Sequence, residues 1–269
     1  MIRGAVLGAP ISHSLSPVLH RGAFEFLEIE GSYSAIEVQS GSLHDFIQSR
    51  GSEFDYLSLT MPLKEEVLSL DVEADALAKR IRSGNTLIRR GSAWSLTSTD
   101  GSGLVAALSH AGLSKFHSVL ILGAGGTARA VVGALDALTD NLHVLGRSSI
   151  RQEALESAVT SAQFEYRRWS SDIDFASYDL VVNTTPAGAA DLLANSVQPG
   201  VSATLFDVIY KPWPTVLAQR WSNCGGSVIN GLELLLYQGI DQLEFVLGVP
   251  IERDALASHL RPILRKAAG

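Results

Sequence analysis

The sequence predicts an α/β protein, and two observations carry that expectation. Short apolar stretches alternate with stretches of helical length along the chain, which is the pattern of βαβ units around a mainly parallel sheet. In one of them, Val119-Leu120-Ile121-Leu122 runs straight into Gly123-Ala124-Gly125-Gly126-Thr127-Ala128, and an Ala-rich stretch follows to Leu138. That reads as a buried strand, a tight glycine turn and a helix.

The glycine turn suggests a dinucleotide. Gly123 permits the turn, and Gly125 lets the backbone approach a pyrophosphate lying against free N–H groups at the helix N-terminus. Ala128 is small enough for the helix to pack on its strand. A bare strand-to-helix turn can look alike, so the flanking strand and helix carry the weight. The next strand, Leu142–Leu145, ends in Gly146-Arg147-Ser148-Ser149-Ile150-Arg151. An NAD site places an acid about 20 residues past the glycines, for the ribose 2′-OH. No acid stands between Asn141 and Gln152. Two arginines and two serines favour a 2′-phosphate, hence NADP, because guanidinium forks match phosphate oxygens. Solvated surface arginines are the alternative.

The 269 residues are 46% hydrophobic and 18% charged, enough for one large or two modest cores. The net charge of −7 and the lack of a basic tract argue against nucleic acid and anionic membranes as partners. The single cysteine, Cys224, can form neither an internal disulfide nor a cysteine metal cluster. Seven histidines without His-x-x-x-His spacing leave a metal site unsupported. No apolar run approaches the roughly 18 residues of a membrane helix. The N-terminus lacks a signal-peptide layout, so a cytoplasmic protein is expected.

In chain order, Ile2–Leu7 predicts a first strand. Ser16 and Pro17 then predict a helix start, with serine as N-cap and proline at the first helical position. Tyr33–Val38 predicts a second strand, Leu43–Ser49 a helix and Tyr56–Leu59 a third strand. Ligands bind at strand ends in such sheets. There stands Thr60-Met61-Pro62-Leu63-Lys64. Lys64 is either a solvated surface residue or a cleft residue. Asn85-Thr86 precedes a strand at Leu87–Arg89. Thr99-Asp100-Gly101 follows a strand at Ala93–Ser98 and opens a helix at Ser102–Ala111. Asp100 fits a helix N-cap, or a charged pair with Lys64. Further on, Phe164–Arg168, Leu180–Asn183 and Ala203–Phe206 read as strands. Asn183-Thr184-Thr185-Pro186 reads as a turn. A helix from Gly231 to Leu247 carries a leucine stripe, with Gln238 on a polar face or in the cleft. The last helix, Asp254–Lys266, contains Pro262 and is expected to kink.

Taken together, Ser14-Leu15-Ser16-Pro17, Thr60-Met61-Pro62-Leu63-Lys64, Asn85-Thr86, Thr99-Asp100-Gly101, Gly123-Ala124-Gly125-Gly126 and Gly231-Leu232-Glu233…Tyr237-Gln238 resemble the shikimate dehydrogenases, in order and spacing, from end to end. The resemblance implies an N-terminal αβ substrate domain, a Rossmann-like NADP-binding domain, and C-terminal helices returning to the first. The expected boundaries are 1–100 completed by 237–269, and 101–236. It implies reversible reduction of 3-dehydroshikimate to shikimate with NADPH. By the same resemblance, Ser14 and Ser16 would hold the substrate carboxylate, and Thr60, Lys64, Asn85, Asp100 and Gln238 its ring hydroxyls. Lys64 and Asp100 would be the catalytic pair, with Lys64 as proton donor or fixed cation. Gly123, Ala124, Gly125, Gly126 and Thr127 would take the pyrophosphate. Gly146, Arg147, Ser148 and Arg151 would take the adenosine phosphate. Val208, Tyr210 and Gly231 would fall near the nicotinamide or substrate. A small-molecule substrate and a homodimer complete the expected partners, and two domain crossings suggest a cleft that opens and closes. The chain departs from the family at Ser58, Ser98 and Gly146, where asparagine is usual; each loses an amide's hydrogen-bonding capacity. A quinate/shikimate dehydrogenase and a non-catalytic NADP- or metabolite-binding regulator on the same fold are the alternatives.

Overall fold

The computed structural model describes all 269 residues, in two compact units. The first comprises residues 1–103 and 235–269, the second residues 104–234.

The first unit begins with β1 (Ile2–Gly8), α1 (Ser16–Phe26), β2 (Gly31–Glu37), α2 (Leu43–Arg50) and β3 (Tyr56–Leu59). There follow α3 (Leu63–Glu66), β4 (Glu73–Ala74), α4 (Ala76–Ile81), β5 (Thr86–Arg90), β6 (Ala93–Thr97) and α5 (Asp100–His110). The sheet order is β2-β1-β3-β5-β6-β4. It is parallel across β2, β1 and β3, but β5 runs antiparallel to both β3 and β6. The expected mainly parallel sheet is therefore mixed. Only two residues separate β5 from β6, and a parallel crossover needs a dozen or more. The reversal matters for the site. It puts the start of β5 and the end of β6 at the same sheet edge as the carboxyl end of β3. A core of Leu7, Leu43, Leu57, Leu63, Val67, Leu87 and Leu96 packs beneath.

The second unit holds β7 (Phe116–Leu122), α6 (Gly126–Leu135), β8 (Thr139–Gly146), α7 (Gln152–Glu156), β9 (Gln163–Arg168), β10 (Leu180–Asn183), β11 (Thr204–Asp207), α8 (Val216–Asn223) and β12 (Val228–Asn230). All six strands are parallel, in the order β9-β8-β7-β10-β11-β12. This is the doubly wound order, which reverses direction between β7 and β10. Val119 to Leu122 are fully buried, as a strand covered on both faces requires. The sequence pattern missed α8 and β12. The three-residue β12 is too short to show a period, and α8 is anchored by Trp221, whose indole N–H donates to the Ala203 carbonyl at 2.8 Å.

Two long helices end the chain, α9 (Gly231–Leu247) and α10 (Arg253–Ala268). α10 contains Pro262 and continues past it to Ala268 as one helix. Its apolar face, Leu256, Ala257, Leu260 and Leu264, is buried and holds it to the fold. Gly22 of α1 faces Leu260, where an added Cβ would come within 3.0 Å of the leucine. No helix is long and apolar enough to cross a membrane.

Candidate active site and nucleotide loop

In the first unit the strands dictate which loops meet. β1 and β3 lie side by side, and their carboxyl ends release the loops carrying Ser14 and Lys64. Thr60 N donates to Leu7 O at 2.9 Å, and Ala9 N to Met61 O at 3.0 Å, tying the two loops together. Leu59 N donates to Asn85 O at 2.7 Å and Gly84 N to Lys64 O at 2.9 Å, which brings in the start of β5.

The structure joins Lys64 and Asp100: the Lys64 ammonium donates to one oxygen of the Asp100 carboxylate. Asn85 Nδ2 donates to the other oxygen at 2.8 Å, and lies within 3.0 Å of Thr99 Oγ1 and 3.3 Å of Gln238 Oε1. Asn85 Oδ1 accepts from Thr99 N and from Thr86 Oγ1, both at 2.8 Å. The amide thus faces the carboxylate with its donor side because two donors hold its acceptor side. Asp100 is the first residue of α5, and its carboxylate is turned to Lys64 and Asn85. The charged-pair alternative describes it better than the capping one. Lys64 sits in the short α3, just after Pro62, and its side chain is only 15% exposed. The solvated surface lysine is therefore overturned.

Gln238 and Gln242 stand four residues apart on α9, hence on one helix face. Gln242 Nε2 donates to Thr86 Oγ1 at 2.9 Å, and its Oε1 accepts from Ser58 Oγ at 2.8 Å. Tyr33 Oη in turn donates to Ser58 at 2.5 Å. Gln242 was not singled out from the sequence, though its spacing from Gln238 was a usable signal. Gly103 of α5 lies directly against Gln238: an added Cβ would sit 2.6 Å from the Gln238 backbone nitrogen. Only glycine lets the two helices cross this closely.

Ser14 and Ser16 are adjacent, with hydroxyls 3.3 Å apart. The expected N-cap role of Ser16 is corrected. α1 starts at Ser16 itself, Leu15 precedes it, and no side chain caps the helix. Ser14 Oγ accepts from Ser16 N at 3.3 Å, so the first serine, not the second, serves the backbone. Thr60 closes the bend after β3, packed so near Gly8 that a Cβ there would lie 2.4 Å from its methyl.

In the second unit the glycine turn follows β7, at the point where the strand order reverses. Gly123 has φ +109°, and an added Cβ would fall 2.6 Å from Thr184 Oγ1. Both facts demand glycine. Ala124, Gly125, Gly126 and Thr127 carry the chain into α6. At Gly125 an added Cβ would meet only the Arg151 guanidinium, at 3.6 Å, so the space over the loop is open to a ligand. Arg151 Nη1 donates to Ala124 O at 3.4 Å, which brings the turn after β8 over the glycine loop. Arg147 and Ser148 lie on that same turn. With open space, the N-terminus of α6, two guanidinium groups and no acid from Gly146 to Arg151, these residues fit a dinucleotide bearing a 2′-phosphate.

Val208 and Gly231 meet: an added Cβ at Gly231 would lie 2.0 Å from Val208 O. Tyr210 is two residues beyond Val208, half-buried. Behind them is a buried cluster that sequence reasoning missed. Asn183 Nδ2 donates to Asp207 Oδ1 at 3.1 Å, and Thr215 Oγ1 to Asp207 Oδ2 at 2.7 Å. Burial pushes the Asp207 carboxyl above its usual range, against these donors.

The three departures from the family pattern have three different outcomes. Ser58 is absorbed into the Tyr33–Ser58–Gln242 chain. The Ser98 hydroxyl is buried without a partner. Gly146 leaves room for Tyr166, whose Oη would lie 2.0 Å from an added Cβ.

Comparisons with known proteins agree with this architecture. The family model of the shikimate dehydrogenase substrate binding domain matches residues 6–87. The shikimate dehydrogenase (NADP(+)) of Methanococcoides burtonii is 34% identical over 242 residues, 88% of this chain and 89% of that protein. The crystal structure of Mycobacterium tuberculosis shikimate dehydrogenase superposes with a TM-score of 0.84 at 33% identity, covering 98% of this chain and all (100%) of that one. The Thermus thermophilus enzyme, solved in complex with NADP(H) and shikimate, superposes with a TM-score of 0.83 at 31% identity, covering 98% of this chain and 100% of that one. Matches of this extent, on a chain whose motifs stand in register from Ser14 to Gln238, mean that the protein belongs to the shikimate dehydrogenase family.

Proposed function

We propose that the protein is an NADP-dependent oxidoreductase that reversibly reduces 3-dehydroshikimate to shikimate. One observation carries the reading: Lys64, Asp100, Asn85 and Gln238 converge at the carboxyl edge of the first sheet, within the family's substrate-binding domain. Bound NADPH supplies the hydride to the ketone carbon. The carbonyl oxygen then needs a proton or a fixed positive charge as it becomes an alcohol, and Lys64 is the group for either task. Asp100 orients the ammonium and accepts from a ring hydroxyl. Asn85 keeps that carboxylate in place.

Ser14 and Ser16 hold the substrate carboxylate, and Thr60, Asn85 and Gln238 its hydroxyls. The first unit is the substrate domain and the second the NADP domain. Gly123 to Thr127 receive the pyrophosphate. Gly146, Arg147, Ser148 and Arg151 receive the phosphorylated ribose. Val208, Tyr210 and Gly231 line the nicotinamide side. The enzyme is cytoplasmic and pairs as a homodimer, which sedimentation would test.

The test of the function is oxidation of shikimate and of quinate with NADP⁺ and with NAD⁺. Shikimate with NADP⁺ is expected to be the most efficient of the four pairs by a wide margin. Equal efficiency with quinate would make the protein a quinate/shikimate dehydrogenase. No turnover of any pair by folded protein would leave a ligand-binding regulator.

A further inference from the structure

The nucleotide site drawn from sequence ends with the turn after β8, but the neighbouring strand reaches it too. β8 and β9 run parallel, with Val144 beside Tyr166 and Gly146 beside Arg168. Alternation along β9 puts Tyr166 and Arg168 on one face of the sheet and Glu165 and Arg167 on the other. The two arginines differ in company. Arg167 is paired with Glu165 at 2.7 Å and bonded to Tyr178 Oη at 3.2 Å. Arg168 is exposed and has no hydrogen-bond or ion-pair partner, and neither does Arg147. An unpaired cation beside the end of β8 has nothing in the protein to neutralise it.

Tyr166 connects this strand to the turn. Its ring crosses the end of β8 through the space that Gly146 leaves, and its Oη donates to Ser148 O at 2.6 Å. Burial raises the phenol above its ordinary pKa, and the bond to Ser148 together with the positive charges of Arg168 and Arg151 opposes the rise. Gly146, Tyr166 and Arg168 therefore form one arrangement. Where asparagine is usual in the family the chain has no side chain, and β9 fills the space.

We propose that β9 completes the cofactor site: Arg168 is a third cation for the ribose 2′-phosphate, and Tyr166 is a positioning residue that fixes the Arg147–Ser148 turn. The proposal rests on the NADP reading above.

The experiment is calorimetric titration of the full-length protein with 2′,5′-ADP and with 5′-AMP, which differ only in the 2′-phosphate. Arg168→Ala is expected to weaken 2′,5′-ADP about tenfold to a hundredfold, the effect of one charge-assisted hydrogen bond. It should leave 5′-AMP unchanged and flatten the salt dependence of 2′,5′-ADP binding. Arg168→Lys should recover part of the loss, because a point charge remains. Tyr166→Phe keeps the ring but loses the bond to Ser148. It should weaken 2′,5′-ADP severalfold more than 5′-AMP, at unchanged melting temperature. If the unmutated protein prefers 2′,5′-ADP and Arg168→Ala binds it equally well, β9 has no part in the site and the NADP reading stands. If the unmutated protein does not distinguish the two nucleotides, both readings fall.

Discussion

The two units build their polar sites in opposite ways. In the first, the site draws on residues from Ser14 to Gln242, brought together by β3, a β5–β6 hairpin and the face of α9. Asn85, Thr86, Asp100 and Gln242 are each no more than 4% exposed and bonded to one another. In the second, two short stretches, Gly123–Thr127 and Gly146–Arg151, supply nearly everything, and their arginines are exposed. The first site is ordered by its own internal bonds. Its buried polar groups would be costly if left unsatisfied, so each constrains its neighbours. The second site is a cradle with excess positive charge, and an anion completes it. Substitutions in the network should therefore disturb chemistry and fold together. Substitutions at the exposed arginines of the cradle should change affinity alone.

The largest expected effect tests the network. Lys64→Ala should lower turnover by roughly 10²–10⁴, the usual span for a group that handles a proton in the transition state. Shikimate affinity should change far less, since the Ser14/Ser16 contacts lie on another loop. Removing the ammonium leaves the buried Asp100 without its cation, and breaking such a pair destabilises. Lys64→Met, which retains a long side chain, is the companion variant, and circular dichroism checks that both are folded. Near-normal turnover in either would remove Lys64 from the chemistry.

The cradle gives the next largest effect. Arg147→Ala should raise the Michaelis constant for NADP⁺ by up to about a hundredfold, equivalent to roughly 3 kcal/mol, and that for NAD⁺ little. Its melting temperature should match the unmutated protein, because Arg147 bonds to nothing in the fold. A loss of stability comparable to that of Lys64→Ala would erase the contrast between the two sites.

Gly146→Asn probes where the cradle meets the packed interior. The added side chain has to enter the space held by Tyr166, and overpacking of this kind costs about 1–3 kcal/mol. Thermal denaturation should show the loss in Gly146→Asn. It should be largely restored in Gly146→Asn/Tyr166→Ala, where the space is free. Full stability of the single variant would mean that Tyr166 moves aside readily and fixes nothing.

The contrast also explains what could be read from the sequence. A local pattern carries the glycine turn, its strand and the arginine-bearing turn, because strand, turn and helix follow one another within a single βα unit. The first site has no such local signature. Lys64 looks like any lysine at a helix start and Asp100 like any N-cap, until β5 reverses direction and sets Asn85 beside the pair. The residues alone leave their pairing as one alternative, and family resemblance favours it where periodicity cannot. Gln242 and Tyr166 stayed hidden for the same physical reason. Gln242 matters through a strand 156 positions away, its amide bonding to Thr86. Tyr166 matters through a space that exists only because Gly146 stands on the neighbouring strand. Ser58 loses the family's amide, yet with Tyr33 behind it a hydroxyl is what the chain of bonds uses.

A further effect, comparable to that of Gly146→Asn, lies at the back of the first site and depends on pH. His20 is fully buried, stacked on Tyr33 with ring centroids 4.0 Å apart, and its Nδ1 lies 2.8 Å from Tyr56 Oη. Burial holds its pKa down from 6.5 to about 3, and Gln242 nearby offsets only part of that. The folded protein therefore keeps the ring neutral, while the unfolded chain takes up a proton near pH 6.5. Below that pH the unfolded state binds more protons, so stability falls as pH falls. The full contribution is present above pH 6.5 and is lost progressively toward pH 3. The slope is about 1.4 kcal/mol per pH unit in the middle of that window. His20→Phe keeps an aromatic ring against Tyr33 and cannot titrate, but it strands the Tyr56 hydroxyl. At pH 7.5 it should be the less stable protein by about 1–3 kcal/mol, the cost of an unsatisfied buried group. By pH 4.5 the unmutated protein should have lost roughly 2–3 kcal/mol relative to the variant, closing or reversing the gap. Urea midpoints of the two proteins across this range give the difference directly, and carboxylate titrations common to both cancel. A gap that stays constant with pH would show that the folded protein does not hold His20 neutral, and that the polar chain behind Asn85 is open to protons.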